Sequence, residues 1–355
     1  MVAPSLDLKK NVSGVSAVAQ FIISHNKECE YEHFLQGKSD GENGTLKRVL
    51  RIWRNYKAWV NVNDDENGGG DARIIHYNFP LDAASVVRDY FFMRAAHRQG
   101  RRMVIHVHGG LYLFQEQKPY IIRRFLNQIF SWDCPFIVLS NKEKEQIQRV
   151  YPAKNVFVLP NCVDLPMSDD NVDVNEDGNW LHVLYIGRIE RNKGMDYLYE
   201  AMKVLKEQNI MLHFAGIEQG ANGYVEKFKE LLDDRFSYEG IVAGDGKTAL
   251  FRRCQVFVLP SLYEGLPMSL LECMSFGLVP VTTDVGSIGE YVENGTNGLL
   301  LKVKDSNAIV EALTLLLHDS ALVQRLSKAA RHTIPSQFNP TEYIEKLNAI
   351  YAQAV

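Results

Sequence analysis

The chain has 355 residues, 46% of them hydrophobic and 23% charged, enough for two globular domains with sizeable cores. The net charge of −4 hides an asymmetry: residues 1–165 carry 22 Lys and Arg against 17 Asp and Glu, the rest 17 against 26, so the first half is drawn to anionic surfaces, with no nucleic-acid partner expected. Five scattered cysteines without C-x-x-C spacing exclude a disulfide framework or a zinc site and point to reduced thiols in the cytoplasm; no run is long and apolar enough to span a membrane, and no signal peptide opens the chain.

In chain order, Met1-Val-Ala-Pro4 is too short for a full opening strand, which places Met1 inside a longer natural one. Asn11-Val-Ser-Gly14-Val-Ser16 follows as a glycine loop. Residues 46–60 hold five cations and no acid, with Leu46, Val49, Leu50, Trp53 and Val60 on one helical stripe. Such a helix either packs that stripe on a sheet or lies on an anionic membrane surface; 123–130 is a shorter candidate of the same kind. Apolar runs at 74–77, 103–108, 136–139 and 156–159, then at 182–186, 211–215, 256–259 and 279–282, alternate with helical patterns, which indicates parallel sheets in an α/β architecture. The acidic segment 168–178 between the two sets reads as an interdomain linker. Asn339-Pro340 opens a last helix with Ile344, Leu347 and Tyr351 on one face.

Three strand–glycine–helix segments in the second half carry chemistry. Gly187-Arg188-Ile-Glu-Arg-Asn-Lys193-Gly194 sets two cations beside two glycines after a strand, which suits a diphosphate. Pro260-Ser-Leu-Tyr-Glu264-Gly-Leu-Pro-Met-Ser-Leu-Leu-Glu272 has carboxylates at both ends of a turn whose Pro267 suits a first helical turn. Free N–H groups and the helix dipole then face whatever lies above the strand, though alone the segment is equally a helix cap with a surface Glu. Thr283-Asp-Val-Gly286-Ser-Ile-Gly289-Glu290 repeats the turn. A hydrolase carboxylate pair is excluded: eight helical residues rise about 12 Å, against roughly 5–9.5 Å for such pairs. His106 and His108 share one face of a strand that ends in Gly109-Gly110; His106 reads as a packed core residue, and no third ligand accompanies them for a metal.

The motifs G-R-x4-K-G, P-S-x2-E-G-x-P-x4-E and T-D-V-G-x-I-x-E, in that order, resemble the retaining glycosyltransferases of family four, strongly over roughly 156–335. The resemblance implies a GT-B fold: two Rossmann-like domains whose parallel sheets face a central cleft. The acceptor domain would be 1–165 with the helix 339–355 returned to it, and 166–338 the nucleotide-sugar domain. It assigns catalytic roles to Arg188, Lys193, His108 and Glu264, and donor contacts to Gly14, Gly187, Ile241, Gly265, Leu266, Met268 and Glu272. Ser13 stands where the family has a second glycine, and Glu239-Gly240-Ile241 after a short helix where it has its base-binding loop. The implied activity is metal-independent transfer of a sugar from a nucleoside-diphosphate sugar, without a cofactor. The acceptor would be a saccharide or lipid-linked saccharide in cell-surface polysaccharide synthesis, at the inner face of the cell membrane. A nucleotide-sugar epimerase of related fold, or a catalytically silent sugar-nucleotide binding protein, fits the same motifs.

Overall fold

The computed structural model describes residues 1–7, 13–37, 45–61, 73–166, 180–220 and 222–354, with side chains from 49 onward in the 45–61 segment. Asn11 and the linker at 168–178 lie outside the described residues, as do the side chains of Leu46, Lys47 and Arg48. The chain divides into two compact units, Met1–Asn161 with Pro340–Val355, and Cys162–Asn339.

The first unit is built on six parallel strands: β1 (Val2–Ala3), β2 (Phe34–Leu35), β3 (Ile74–Phe79), β4 (Arg102–Val107), β5 (Phe136–Val138) and β6 (Val156–Val158), in the order β2-β1-β3-β4-β5-β6. The chain steps outward from β1 to β2, then returns to lay β3 on the other side of β1. Strand order therefore reverses between β1 and β3, the kind of point where open α/β sheets bind ligands beyond their carboxyl ends. Helices cover both faces, so β3 to β5 are buried almost throughout and rich in Val, Ile and Phe. The Thr45–Val60 helix packs through Ile52, Tyr56, Trp59 and Val60, and Trp59 donates its indole N–H to the Phe92 carbonyl at 2.8 Å. Of the stripe read from the sequence, Val60 packs on the core, whereas Val49, Leu50 and Trp53 are more than half exposed, against the first of its two readings. The helix carries two apolar stripes, and the one able to stack against Phe34 and Phe92 wins the core.

The second unit repeats the design with β7 (Leu181–Ile186), β8 (Ile210–Ala215), β9 (Phe236–Gly240), β10 (Val256–Leu259), β11 (Val279–Thr283) and β12 (Leu299–Leu301), in the order β12-β11-β10-β7-β8-β9. Here the reversal falls between β7 and β10, whose register pairs Val183 with Val256 and Leu184 with Phe257. The core holds Tyr185, Phe214, Phe228 and Phe257, all fully buried. One loop differs from expectation: β9 runs directly into Gly240, so the loop at Ile241 follows a strand and not a helix. Pro267 also sits one place earlier than expected, as the residue capping the Met268–Ser275 helix, at φ −65° and ψ 130°.

The helix Pro340–Ala352 belongs to the first unit, where Tyr343, Leu347, Ile350 and Tyr351 are buried. Its Asn348 Oδ1 accepts from Asn26 Nδ2 at 2.6 Å, and its Tyr351 hydroxyl lies 2.7 Å from Nδ1 of His76.

Candidate active site

At the reversal point of the second sheet, the loops after β7 and β10 are locked together by backbone. Leu262 N donates to Asn192 O at 2.9 Å, and Asn192 Nδ2 to the Tyr263 hydroxyl at 2.8 Å. Gly194 has φ +79°, and any Cβ there would run into the Pro260 carbonyl; only glycine lets the turn pass so close to the neighbouring strand end. Gly286, at φ +60°, lies as tightly against the Glu264 and Gly265 carbonyls, and Ser287 N donates to Gly265 O at 3.0 Å. Thr283 Oγ1 closes the third loop onto Ser261 O at 2.7 Å.

These backbones carry the expected side chains to one sheet edge. Lys193 Nζ lies 2.7 Å from Oε1 of Glu264, and the same oxygen accepts from Ser261 Oγ at 2.7 Å. Arg188 begins the same loop as Lys193, and its carbonyl accepts from the Tyr185 hydroxyl. Burial, together with the Glu264 and Glu190 charges, holds that phenol well above its ordinary pKa, so it stays a donor. Glu272 stands in the Met268–Ser275 helix with Oε1 2.6 Å from Lys247 Nζ. Leu266 and Met268 are buried, and Ile241 is 48% exposed at the end of β9. Lys193 and Glu264 are therefore brought together, while Glu272 is engaged by a lysine that sequence reasoning missed. Lys247 belongs to none of the motifs; only its place in the helix beside the base loop could have drawn notice.

In the first unit the sheet face of β3 and β4 that carries His76, Asn78, His106 and His108 is a polar ladder in an apolar core. His76 Nε2 is 3.2 Å from His106 Nδ1, and the His106 and His108 rings stack at 4.2 Å. His108 Nε2 lies 2.7 Å from Asn78 Oδ1, whose amide donates to Val2 O at 2.9 Å. An amide oxygen only accepts, so His108 carries its proton on Nε2 and keeps the Nδ1 lone pair for another donor. Burial lowers its pKa to about 3 and those of His76 and His106 well below the ordinary value, with the Met1 ammonium and then His108 adding to the shift of His76, and His108 and His76 to that of His106. Among the described residues no three His, Cys, Asp or Glu side chains gather as metal ligands. Gly14 starts the helix Gly14–His25, which Ser13 caps by accepting from Ser16 N at 3.2 Å.

Two six-stranded parallel sheets, each with a strand-order reversal, and a cation–carboxylate site on glycine-bound loops at the reversal point of the second, define a glycosyltransferase of the GT-B fold. The family model for glycosyl transferases group 1 matches residues 168–333, and that for glycosyltransferase family 4 matches 25–166. The chain belongs to the family-four glycosyltransferases and is an enzyme of that class. It is 28% identical over 280 residues to a UDP-Gal:alpha-D-GlcNAc-diphosphoundecaprenol alpha-1,3-galactosyltransferase of Escherichia coli, covering 74% of this chain and 72% of that one. Over 243 residues it is 32% identical to a Campylobacter jejuni N,N'-diacetylbacillosaminyl-diphospho-undecaprenol alpha-1,3-N-acetylgalactosaminyltransferase, 62% of each. Among solved structures, Anabaena HepE in complex with UDP and glucose superposes with a TM-score of 0.73 at 16% identity, over 99% of this chain and 98% of that one. These relatives do not favour the epimerase or silent-binder readings.

Proposed function

We propose that the enzyme moves a sugar, with retention of anomeric configuration, from a nucleoside-diphosphate sugar to a lipid-linked saccharide in cell-surface polysaccharide assembly. The observation that supports this best is the Lys193–Glu264 pair beside Arg188, on a backbone cradle at a sheet reversal point. Lys193 pairs with Glu264; a pyrophosphate gives it a stronger partner and leaves Glu264, still held by Ser261, for the sugar hydroxyls. Arg188 and Lys193 neutralise the charge that grows on the leaving phosphate. The N–H groups of Gly265, Leu266 and Met268 face the donor, and Gly187, whose own N–H is given to Ala215 O, offers a bare backbone surface beside it. Gly14 approaches its phosphates, Ile241 offers backbone to the base and Glu272 accepts from the ribose. His108 takes a donor-sugar hydroxyl on Nδ1. The sugar–phosphate bond breaks as the acceptor oxygen bonds the anomeric carbon on the same face, and the leaving diphosphate takes the acceptor proton. No metal or cofactor enters this scheme.

The E. coli and C. jejuni relatives are named for diphosphoundecaprenol acceptors, which supports a lipid-linked acceptor here. An anionic membrane at the cytoplasmic face is a fitting partner for the Thr45–Val60 helix. It shows Val49, Leu50 and Trp53 beside Arg54 and Lys57, whose ammonium sits 3.6 Å over the Trp53 ring. On the same unit, Tyr120, Arg123, Arg124 and Asn127 line a hollow of about 330 Å³ that suits a phosphate headgroup. No helix among the described residues is long and apolar enough to cross a membrane.

The test is a thermal-shift screen against UDP-, GDP- and ADP-sugars, followed by transfer to a diphosphate-lipid saccharide with chelator present. One donor class should raise the midpoint, a ligand at 100 times its dissociation constant adding about 2.7 kcal/mol. Transfer should survive chelation. No shift with any nucleotide sugar sinks the proposal.

A further inference from the structure

Glu272 does not stand alone at the sheet edge. Lys247, in the Gly244–Arg253 helix, lays its ammonium 2.6 Å from Oε1 and binds no other described carboxylate. Its side chain is 27% exposed and that of Glu272 25%. Both groups are partly open to solvent, which screens the pair. Its effect is geometric: one carboxylate oxygen is engaged, and the other is left pointing to a different acceptor task.

We infer that Lys247 is a positioning residue for nucleotide recognition. It holds Glu272 by Oε1 so that Oε2 is presented to a ribose hydroxyl, and the enzyme's preference for ribonucleotides depends on that hold. The inference rests on Glu272 being the ribose acceptor, as proposed above. A lysine that only ties two helices together would shift affinity for every nucleotide alike, whereas a positioning lysine sets the difference between ribose and deoxyribose.

The experiment is calorimetric titration of the full chain with UDP, GDP or ADP, whichever raises its unfolding midpoint most, and with the 2′-deoxy and 3′-deoxy forms of that nucleotide. The wild type should lose tenfold or more in affinity for at least one deoxy form. K247M should bind the ribonucleotide about tenfold more weakly and show a deoxy penalty under threefold; K247R should recover most of the discrimination. A K247M penalty equal to the wild type's overturns the inference, whatever its absolute affinity. A wild type that binds all three forms equally removes Glu272 from the ribose and the inference with it, while leaving the phosphate site intact. An unchanged midpoint for K247M without ligand separates these outcomes from loss of fold, and K247Q repeats the comparison should K247M not fold.

Discussion

In the proposed mechanism the contact between Lys193 and Glu264 couples stability to catalysis. Their side chains are 22% and 10% exposed, so removing the ammonium leaves a half-desolvated carboxylate held by Ser261 alone. Lys193→Ala and Arg188→Ala should each lower kcat by about 10²–10³ in a donor-saturated transfer assay, since both cations meet charge that grows in the transition state. A change confined to KM would place them in ground-state binding only. Gly194→Ala is a different experiment on the same loop: it meets the Pro260 carbonyl at a left-handed φ and should cost about 2–4 kcal/mol in urea unfolding. Arg188, Lys193, Glu264 and Glu272 were legible because their motifs tie them to strand ends by fixed spacing. Lys247 and Asn78 were not. Each acts on a partner brought close only by the fold, Lys247 on a carboxylate 25 residues away and Asn78 on an imidazole 30 residues away.

At the scale of elements, the histidine ladder on β3 and β4 is tied to the Pro340–Ala352 helix through Tyr351. Tyr351→Phe leaves His76 Nδ1 buried without that partner and should destabilise the first unit by about 1–3 kcal/mol. Acid should act on the same ladder. The three imidazoles are neutral when folded, with His108 depressed to about 3, and each titrates near 6.5 when unfolded. Below 6.5 the unfolded chain takes up protons that the folded chain refuses. Stability is therefore complete above 6.5 and drains as pH falls towards 3, at about 1.4 kcal/mol per pH unit for each imidazole. A flat urea midpoint between pH 7 and 5 contradicts this. Strands lying in apolar runs of four residues or more were legible, the three-residue β5 and β6 among them, whereas β2 and β12 lie in shorter runs, and β9, Phe-Ser-Tyr-Glu-Gly, is too polar. Which stripe of the Thr45–Val60 helix packs was left open by the sequence because both stripes have helical spacing, and the aromatic surface formed by Phe34 and Phe92 selects between them.

For the whole molecule, the excess of cations in residues 1–165 and the excess of acids beyond them bear on where the enzyme works. In flotation with vesicles, the wild type should bind those containing anionic phospholipid and release them as salt rises. R54E/K57E with W53S should bind several-fold less and keep its activity on a water-soluble acceptor. Equal flotation with neutral and anionic vesicles contradicts the membrane proposal.

The return of Tyr351 to His76 also bears on the order of events at the ribosome. Domains generally fold as they emerge, the earlier first, but here the unit translated first lacks its buried Tyr351 until the helix Pro340–Ala352 has been made. The unit Cys162–Asn339 holds its own six strands and can finish beforehand. Birth order and completion order are thereby reversed. Removing residues 340–352 would spare the later-made unit and strand the earlier one, a lopsided vulnerability that pulse-labelling with limited proteolysis can detect.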